Sequence, residues 1–520
     1  MTVYSDKIIY GKDTTQRIVS LEFKSDDIKR QSFVDLFIQN ENNEIEIKTI
    51  PSRSWLLACR PLDKHFIRLK GDLHYKYGKL YETRNDLIRD INFYNQEDLF
   101  FISDTKESVM VGKGITYFKG LKPQDISILS FDIETNGLNR DVNSRVYLIS
   151  NTFRKNGKIF KKLFSYEDYV NDGEMIDDWC TWVRSIDPTF LVGHNIITFD
   201  LPFLNHVANL HGYKLKLGRD GSNVYFFKNP SYFRKDGSQS ISYHKCKIYG
   251  REIVDTYFLS IRYDVGREFD SYGLKSIIKQ LGLEKENRQH YDASKIKNNI
   301  NNKEEWEKIK QYALDDSEDA LKLYDLMIAP YFYLCQTIPK SFQELLCSAT
   351  GSQINATMIR AYFQDGHSLP KASSTVDYEG AISWGKPGIY HNCIKWDVAS
   401  LYPSIMRQYE IYPQDKDPNR YFLYLVNYFT NERLKNKKLA KETKDKYYDD
   451  LQSAQKIFIN SCYGFLGTSG LLFNYPKGAA EVTRRGREIL TKAIEWATNK
   501  KIDDVITKEH IVLNEDMEDS

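Results

Sequence analysis

Lys395-Trp-Asp-Val-Ala-Ser-Leu-Tyr-Pro-Ser404 is the stretch on which the reading of this chain turns. The apolar residues leading into it predict a short strand that gives out at Asp397. The Ser400-Leu401 turn would then expose backbone amides, with the Tyr402 ring packed beside them. A carboxylate at a strand end, followed by backbone donors and a flat ring, can hold a divalent cation against a nucleoside triphosphate. A plain strand and turn would share some of these features. The run Asp397-x-x-Ser400-Leu401-Tyr402-Pro403-Ser404 is more particular than that.

Downstream, Tyr421 to Tyr448 reads as a helix carrying Arg433 and Lys437 at i, i+4. A second helix carries Lys456-Ile-Phe-Ile-Asn460-Ser-Cys-Tyr463-Gly464. Lys456, Asn460 and Tyr463 share one face of it, and Gly464 permits close approach. A basic run of this kind is ordinarily a solvated helix face. A third helix is expected from Glu481 to Ala497. Upstream, Tyr378-Glu-Gly380-Ala381 reads as a turn where Gly380 would let backbone approach a phosphate.

Farther upstream the texture changes at Ile126. Ile-Ser-Ile-Leu-Ser-Phe-Asp132-Ile-Glu134-Thr predicts a buried strand, and alternation puts both carboxylates on one side of it. Acidic pairs two residues apart are common and mostly solvated. Inside an apolar strand they carry a desolvation cost unless a cation neutralises them. Thr189-Phe-Leu-Val-Gly-His-Asn195 predicts a strand running into a turn, with Asp200 opening a helix. A third segment, the helix expected from Trp306 to Tyr324, places Tyr312 and Asp316 on one face. Four acids from three segments suffice for two metal ions about 4 Å apart, one activating water and the other stabilising the leaving oxygen, with Tyr312 orienting the water. Ile253-Val-Asp255 and Ser271-Tyr-Gly-Leu-Lys-Ser-Ile277 lie between these segments. Asp255 reads as a structural acid rather than an accessory ligand. Asp315, off the Tyr312 face, is expected to point to solvent.

Residues 1–107 alternate in short runs, IIYG, RIVSLEF, SFVDLFI, EIEIKTI, WLLACR and FIRLK, separated by turn formers. They predict a β-rich domain with no catalytic constellation, in which Trp55 and Arg60 serve structure. The 520 residues allow several domains, and a net charge of +2 confines any nucleic-acid surface to local basic patches. Mean hydropathy is −0.54, and no apolar run approaches membrane-spanning length. Seven scattered cysteines, none in a C-x-x-C pair, point to a reducing compartment such as the cytoplasm and away from zinc. The 36 tyrosines and 28 phenylalanines read mainly as core filling.

In this order, Asp-x-Glu, Asn-x-x-x-Phe-Asp and Tyr-x-x-x-Asp resemble the three motifs of DnaQ-like 3′-5′ proofreading exonucleases. The stretch at Asp397 resembles motif A, and Lys456-x-x-x-Asn460-Ser-x-Tyr463-Gly464 resembles motif B, of family-B DNA polymerases, the viral and phage members most. The resemblance implies a multidomain α/β and α+β chain: a β-rich N-terminal domain (1–107), an RNase H-like exonuclease domain (108–338), a connecting helical segment packed back on the first domain (339–377), a first part of the palm (378–420), two-helix fingers (421–466) and a second part of the palm (467–520). It implies catalysis by Asp132, Glu134, Asp200, Tyr312, Asp316 and Asp397. It also implies Mg2+ or Mn2+ as cofactor, two ions in the exonuclease site and one brought by the dNTP to the palm. Arg433, Lys437 and Lys456 would grip the triphosphate near the Ser400-Leu401 turn and Asn460. Tyr463 and Gly464 would support the templating pair, and Tyr402 would stack under the sugar and exclude a 2′-hydroxyl. Tyr378 and Gly380 would contact template DNA.

The family's motif C, typically Asp-Thr-Asp-Ser, has no counterpart here. Asp516-x-Glu518 follows an apolar strand for which no returning strand is expected, and it reads as a solvated acidic tail. Three readings therefore stand. The chain is the N-terminal part of a split or truncated polymerase, joined through residues 465–520 to a second polypeptide bearing motif C and thumb. Alternatively it is a stand-alone exonuclease, or a non-catalytic DNA-binding relic. Its partners would be primer-template and single-stranded DNA and dNTPs.

Overall fold

The computed structural model describes residues 4–234, 239–374, 376–385, 387–395, 397–398, 400–505 and 511–514. At its centre is a five-stranded sheet in the order Lys158–Ser165, Val146–Lys155, Ile128–Thr135, Phe190–Gly193, Glu252–Asp255. The first three strands form an antiparallel meander. The last two run parallel to Ile128–Thr135 and to each other. Alternation along Ile128–Thr135 sends Leu129, Phe131 and Ile133 into a core with Trp179, Leu201 and Leu204 from the helices Asp172–Ile186 and Asp200–Leu210. The opposite face carries Asp132 and Glu134. It is covered by the helix Lys303–Met327, capped by Asn302 and seated through Trp306, Ile309, Tyr312 and Ala313 against Tyr147 and Leu148.

The N-terminal residues form a three-stranded sheet (Ile18–Asp26, Gln31–Gln39, Ile45–Ser52) and a four-stranded one built around Ser54–Ala58. Residues 8–11 differ from the expected strand. Lys7–Tyr10 is one turn of helix, because the Asp6 carboxylate accepts from the amides of Ile8 and Ile9 and overrides the β preference of the isoleucines. Trp55 is buried and donates to the Ser108 carbonyl at 3.0 Å, while exposed Arg60 pairs with Asp98. A buried charge cluster docks this region on the central sheet. Lys106 Nζ lies 2.8 Å from Glu22 and 3.5 Å from Glu252, and the Ser20 hydroxyl donates to Glu252 at 3.0 Å. Such charges survive burial only when paired.

The connecting stretch holds the helices Phe342–Cys347 and Thr350–Gln364. It returns to the N-terminal region through bridges between Lys70 and His367 and between Tyr75 and Leu369. Beyond it stand the antiparallel helices Tyr421–Thr443 and Lys446–Gly467 and the helix Pro476–Thr498. The expected single helix through Tyr448 is broken. Lys444 adopts a left-handed conformation, and Asp445 caps the next helix through the Tyr447 amide, so Tyr447 and Tyr448 belong to the second helix. The apolar strand near the chain's end does have a neighbour: Ile511–Asn514 pairs antiparallel with Ile382–Gly385. Asp516 and Glu518 lie outside the described residues.

Candidate active sites

Asp132, Glu134 and Asp316 each offer a carboxylate oxygen, and these oxygens lie within 4.8 Å of one another. Among the described residues no other group of three or more acids, histidines or cysteines meets in this way. The strand supplies two acids by its period of two, and the 303–327 helix supplies the third. Asp200 sits behind them at the first turn of its helix, buried, with Oδ1 lacking any partner. It is not part of the three-acid group, but its charge bears on Asp132.

Burial raises the pKa of all four acids. Asp132 is pushed well up, first by burial and then by the charges of Asp200, Glu134 and Asp316. Glu134 rises through burial and Asp316, and Asp200 through burial and Asp255. Asp316 rises through burial, against the opposing pull of Lys275 and Arg288. A set of hard oxygen donors, buried but for the half-buried Asp132 and with one orphaned oxygen, fits Mg2+ or Mn2+, which would relieve both the crowding of charge and the missing partner. Tyr312 is buried beside Asp316, and its pKa is raised by burial and then by that carboxylate, so the phenol keeps its proton. Lys275 Nζ donates to the Tyr312 oxygen and stands 4.0 Å from Asp316 Oδ2.

Position 200 is set by a tight turn. A Cβ at Gly193 would collide with Ile196 and come 2.7 Å from the Phe131 carbonyl. Asp255 accepts from the amides of Asn195 at 2.8 Å, Ile197 at 3.0 Å and Tyr257 at 3.0 Å. It is the clamp of this turn and the cap of the next helix, in keeping with the structural role expected of it. Asp315 departs from expectation. It is buried, not solvated, and takes hydrogen bonds from Lys285, Gln311 and the Gln289 amide, because the 283–292 loop packs over that side of the helix. Two cations at the site, Lys275 and Arg288, were not singled out from sequence. Lys275 lies within the quoted 271–277 segment. Arg288 had no periodic pattern to mark it.

The second constellation is more open. The described residues 387–395 ahead of Asp397 hold no strand, and Asp397 is exposed. The strand Ile382–Gly385 upstream pairs with Ile511–Asn514, and the described residues between it and Asp397 join no sheet. Ile394 is accordingly left 81 % exposed. Ser400 follows in the left-handed region at φ 55°, and the helix Leu401–Gln408 begins directly after it. Arg433 Nη1 donates to the Ser400 hydroxyl at 2.6 Å. Leu401 and Tyr402 are half-buried, and the Tyr402 ring centroid is 4.7 Å from that of Tyr463. Lys456, Asn460 and Gly464 line one exposed face of the second long helix, and Lys437 is exposed on the first. Tyr378 is half-buried beside Gly467, and the Gly380 carbonyl accepts from Arg487 at 2.6 Å.

Residues 78–277 match the pattern of the exonuclease domain of DNA polymerase family B, and residues 422–518 match the pattern of DNA polymerase family B. A DNA polymerase of Pyrococcus glycovorans is 24 % identical over 427 residues, covering 73 % of this chain and 52 % of that protein. DNA polymerase II of Escherichia coli (strain K12) is 24 % identical over 378 residues, covering 65 % of this chain and 45 % of that protein. The chain thus spans about half the length of the relatives it matches. The family-B DNA polymerase of Pyrobaculum calidifontis shares the fold, with a TM-score of 0.75 and 19 % identity over 93 % of this chain and 72 % of that one.

Proposed function

This chain belongs to family B of the DNA polymerases, and from that premise we propose that its 128–327 region is a divalent-metal-dependent 3′-5′ exonuclease acting on single-stranded DNA ends. The observation that carries the reading is the meeting of the Asp132, Glu134 and Asp316 oxygens within 4.8 Å. Asp132, Glu134, Asp316 and the neighbouring Asp200 would hold Mg2+ or Mn2+, which supplies an activated water and charge stabilisation at the leaving oxygen. The chain's own residues do the rest. Tyr312 keeps its proton, accepts from Lys275 and shares its O–H with the Asp316 carboxylate. Turned from Asp316 to the incoming water, that O–H would orient an oxygen lone pair toward the phosphorus.

The second half would take part in nucleotidyl transfer. Arg433, Lys437 and Lys456 offer cations to a triphosphate, and the Tyr402 ring, held against Tyr463, would sit under the sugar of a dNTP. Asp397 alone anchors too little charge for two-metal chemistry. The remaining carboxylate would come from a segment outside the described residues or from a second polypeptide carrying the counterpart of motif C. The exposure of Asp397 favours a second reading, in which this chain alone trims DNA and does not extend it. Seven free cysteines support a reducing, cytoplasmic setting.

The test pairs two assays. Asp132→Ala with Glu134→Ala should abolish Mg2+- or Mn2+-dependent degradation of single-stranded DNA, while Asp397→Ala leaves it intact. Undiminished degradation by the double variant contradicts the site. Primer extension by this chain mixed with a polypeptide bearing Asp-Thr-Asp-Ser tests the second half, and failure of extension there favours the trimming-only reading.

A further inference from the structure

Arg288 lies in the loop between the helices Leu274–Gln280 and Ile296–Asn299, yet only 2 % of its side chain is exposed. Every guanidinium nitrogen is engaged. Nη2 donates to Asp316 Oδ1, Nε to Asp319 Oδ2 at 2.7 Å, and Nη1 to the Gln289 carbonyl at 3.1 Å. Asp319 is in turn held through Oδ1 by Lys322 at 2.9 Å. Asp316 and Asp319 are three residues apart on one helix, so a single planar fork spans two carboxylates of the same face.

That placement has two physical effects on the carboxylate group. The fork takes Asp316 Oδ1 and leaves Oδ2 on the side of Lys275, which fixes how the side chain is presented. Carboxylates this close, buried and without a cation, repel one another. A guanidinium cannot lose its proton in a protein, so Arg288 supplies positive charge at all times.

We propose that Arg288 is a positioning residue: a built-in counter-cation that holds Asp316 in ligand geometry and offsets the repulsion of the carboxylate group while no metal ion is bound. The proposal rests on reading that group as a divalent-cation site. A side chain that only pinned the loop would differ from it in one measurable respect. Losing a loop pin destabilises the chain equally with and without metal. Losing a counter-cation destabilises chiefly the metal-free state, because a bound ion supplies the missing charge.

Thermal unfolding of the full 520-residue chain, followed in EDTA and in saturating Mn2+, separates the two. Mn2+ should raise the Tm of the wild type. Arg288→Gln should melt lower in EDTA and gain about twice the wild-type increment from Mn2+, and Arg288→Lys, which keeps a charge, should bring the increment back toward the wild-type value. A Gln variant that folds only with Mn2+ is the extreme form of the expected result. Arg288→Met, which keeps the packing of the stem, gives the same reading where the Gln variant does not fold. An unchanged or smaller increment in the charge-removing variants overturns the role of Arg288 alone. No Mn2+ increment in the wild type overturns the cation site itself, and Arg288 with it.

Discussion

Lys275 Nζ donates to the phenolic oxygen of Tyr312, one helical turn ahead of Asp316. The lysine comes from a helix start and the tyrosine from the middle of a 25-residue helix, so the contact ties two separate elements at the carboxylate site. Because the phenol cannot ionise in this setting, its oxygen accepts from the lysine while its O–H is held by the Asp316 carboxylate. Lys275→Met should therefore lower single-turnover cleavage of single-stranded DNA about 10-fold, the weight of one charge-assisted hydrogen bond, with little change in DNA affinity. Tyr312→Phe should lower it by at least as much. The double variant should fall no further than Tyr312→Phe, since the lysine acts through the phenol. Independent, multiplicative losses would show that Lys275 acts elsewhere, for instance on the DNA itself.

Asp132, Glu134, Asp316 and the Tyr312 phenol were legible in the sequence because each rests on a periodicity. Asp132 and Glu134 obey the two-residue alternation of a strand whose other face is Leu129, Phe131 and Ile133. Tyr312 and Asp316 obey the helical i, i+4 rule. The cations Lys275 and Arg288 were not read because a loop and a helix start impose no pattern. Their meeting with Asp316 depends on long-range packing of the 283–292 loop over the helix. Asp315 departs from expectation for the same reason: its face is off the tyrosine side, but the loop covers it. At residues 8–11 a local cap from Asp6 outweighed β-branched residues, and ahead of Asp397 an apolar run found no neighbouring strand. In both places the deciding partner lies outside the local run of residues.

Asp104 gives the N-terminal region an acid-sensitive contact with the two-stranded ladder of Tyr225–Phe226 and Cys246–Lys247. It caps the helix Thr105–Lys113 through the Glu107 amide and pairs with Lys247 at 2.7 Å. Burial alone would raise its pKa, but the charge and hydrogen bond of Lys247, then the Glu107 amide and Lys106, outweigh it and bring the pKa down to about 2. A carboxyl depressed on folding contributes stability that is present above its unfolded value near 4 and is lost as pH falls through about 2. The contribution is about 2 kcal/mol. Asp104→Asn should thus melt below the wild type at pH 6, and the gap should close progressively between about pH 4 and pH 2. Asn caps a helix about as well as Asp, so a gap that stays constant with pH would mean that the ion pair is not what the substitution removes.

Gly467 and Tyr378 make the remaining case, at the junction between the second long helix and the turn that resembles the template-contacting element. A Cβ at Gly467 would collide with the Tyr378 hydroxyl, whereas the ring carbon behind it would stand at 3.4 Å and Ala479 Cβ at 3.6 Å. The obstruction is one oxygen atom. Gly467→Ala should therefore cost about 1–3 kcal/mol, the usual penalty for overpacking, or push Tyr378 out of its half-buried seat. Tyr378→Phe removes the oxygen and leaves ordinary contact distances. The two changes together should then recover most of the loss, since the remaining neighbours stand at ordinary contact distances. Differential scanning calorimetry of the four chains gives the coupling energy directly. Additive effects would show that the helix end shifts to accept the methyl group and that Tyr378 does not set its position.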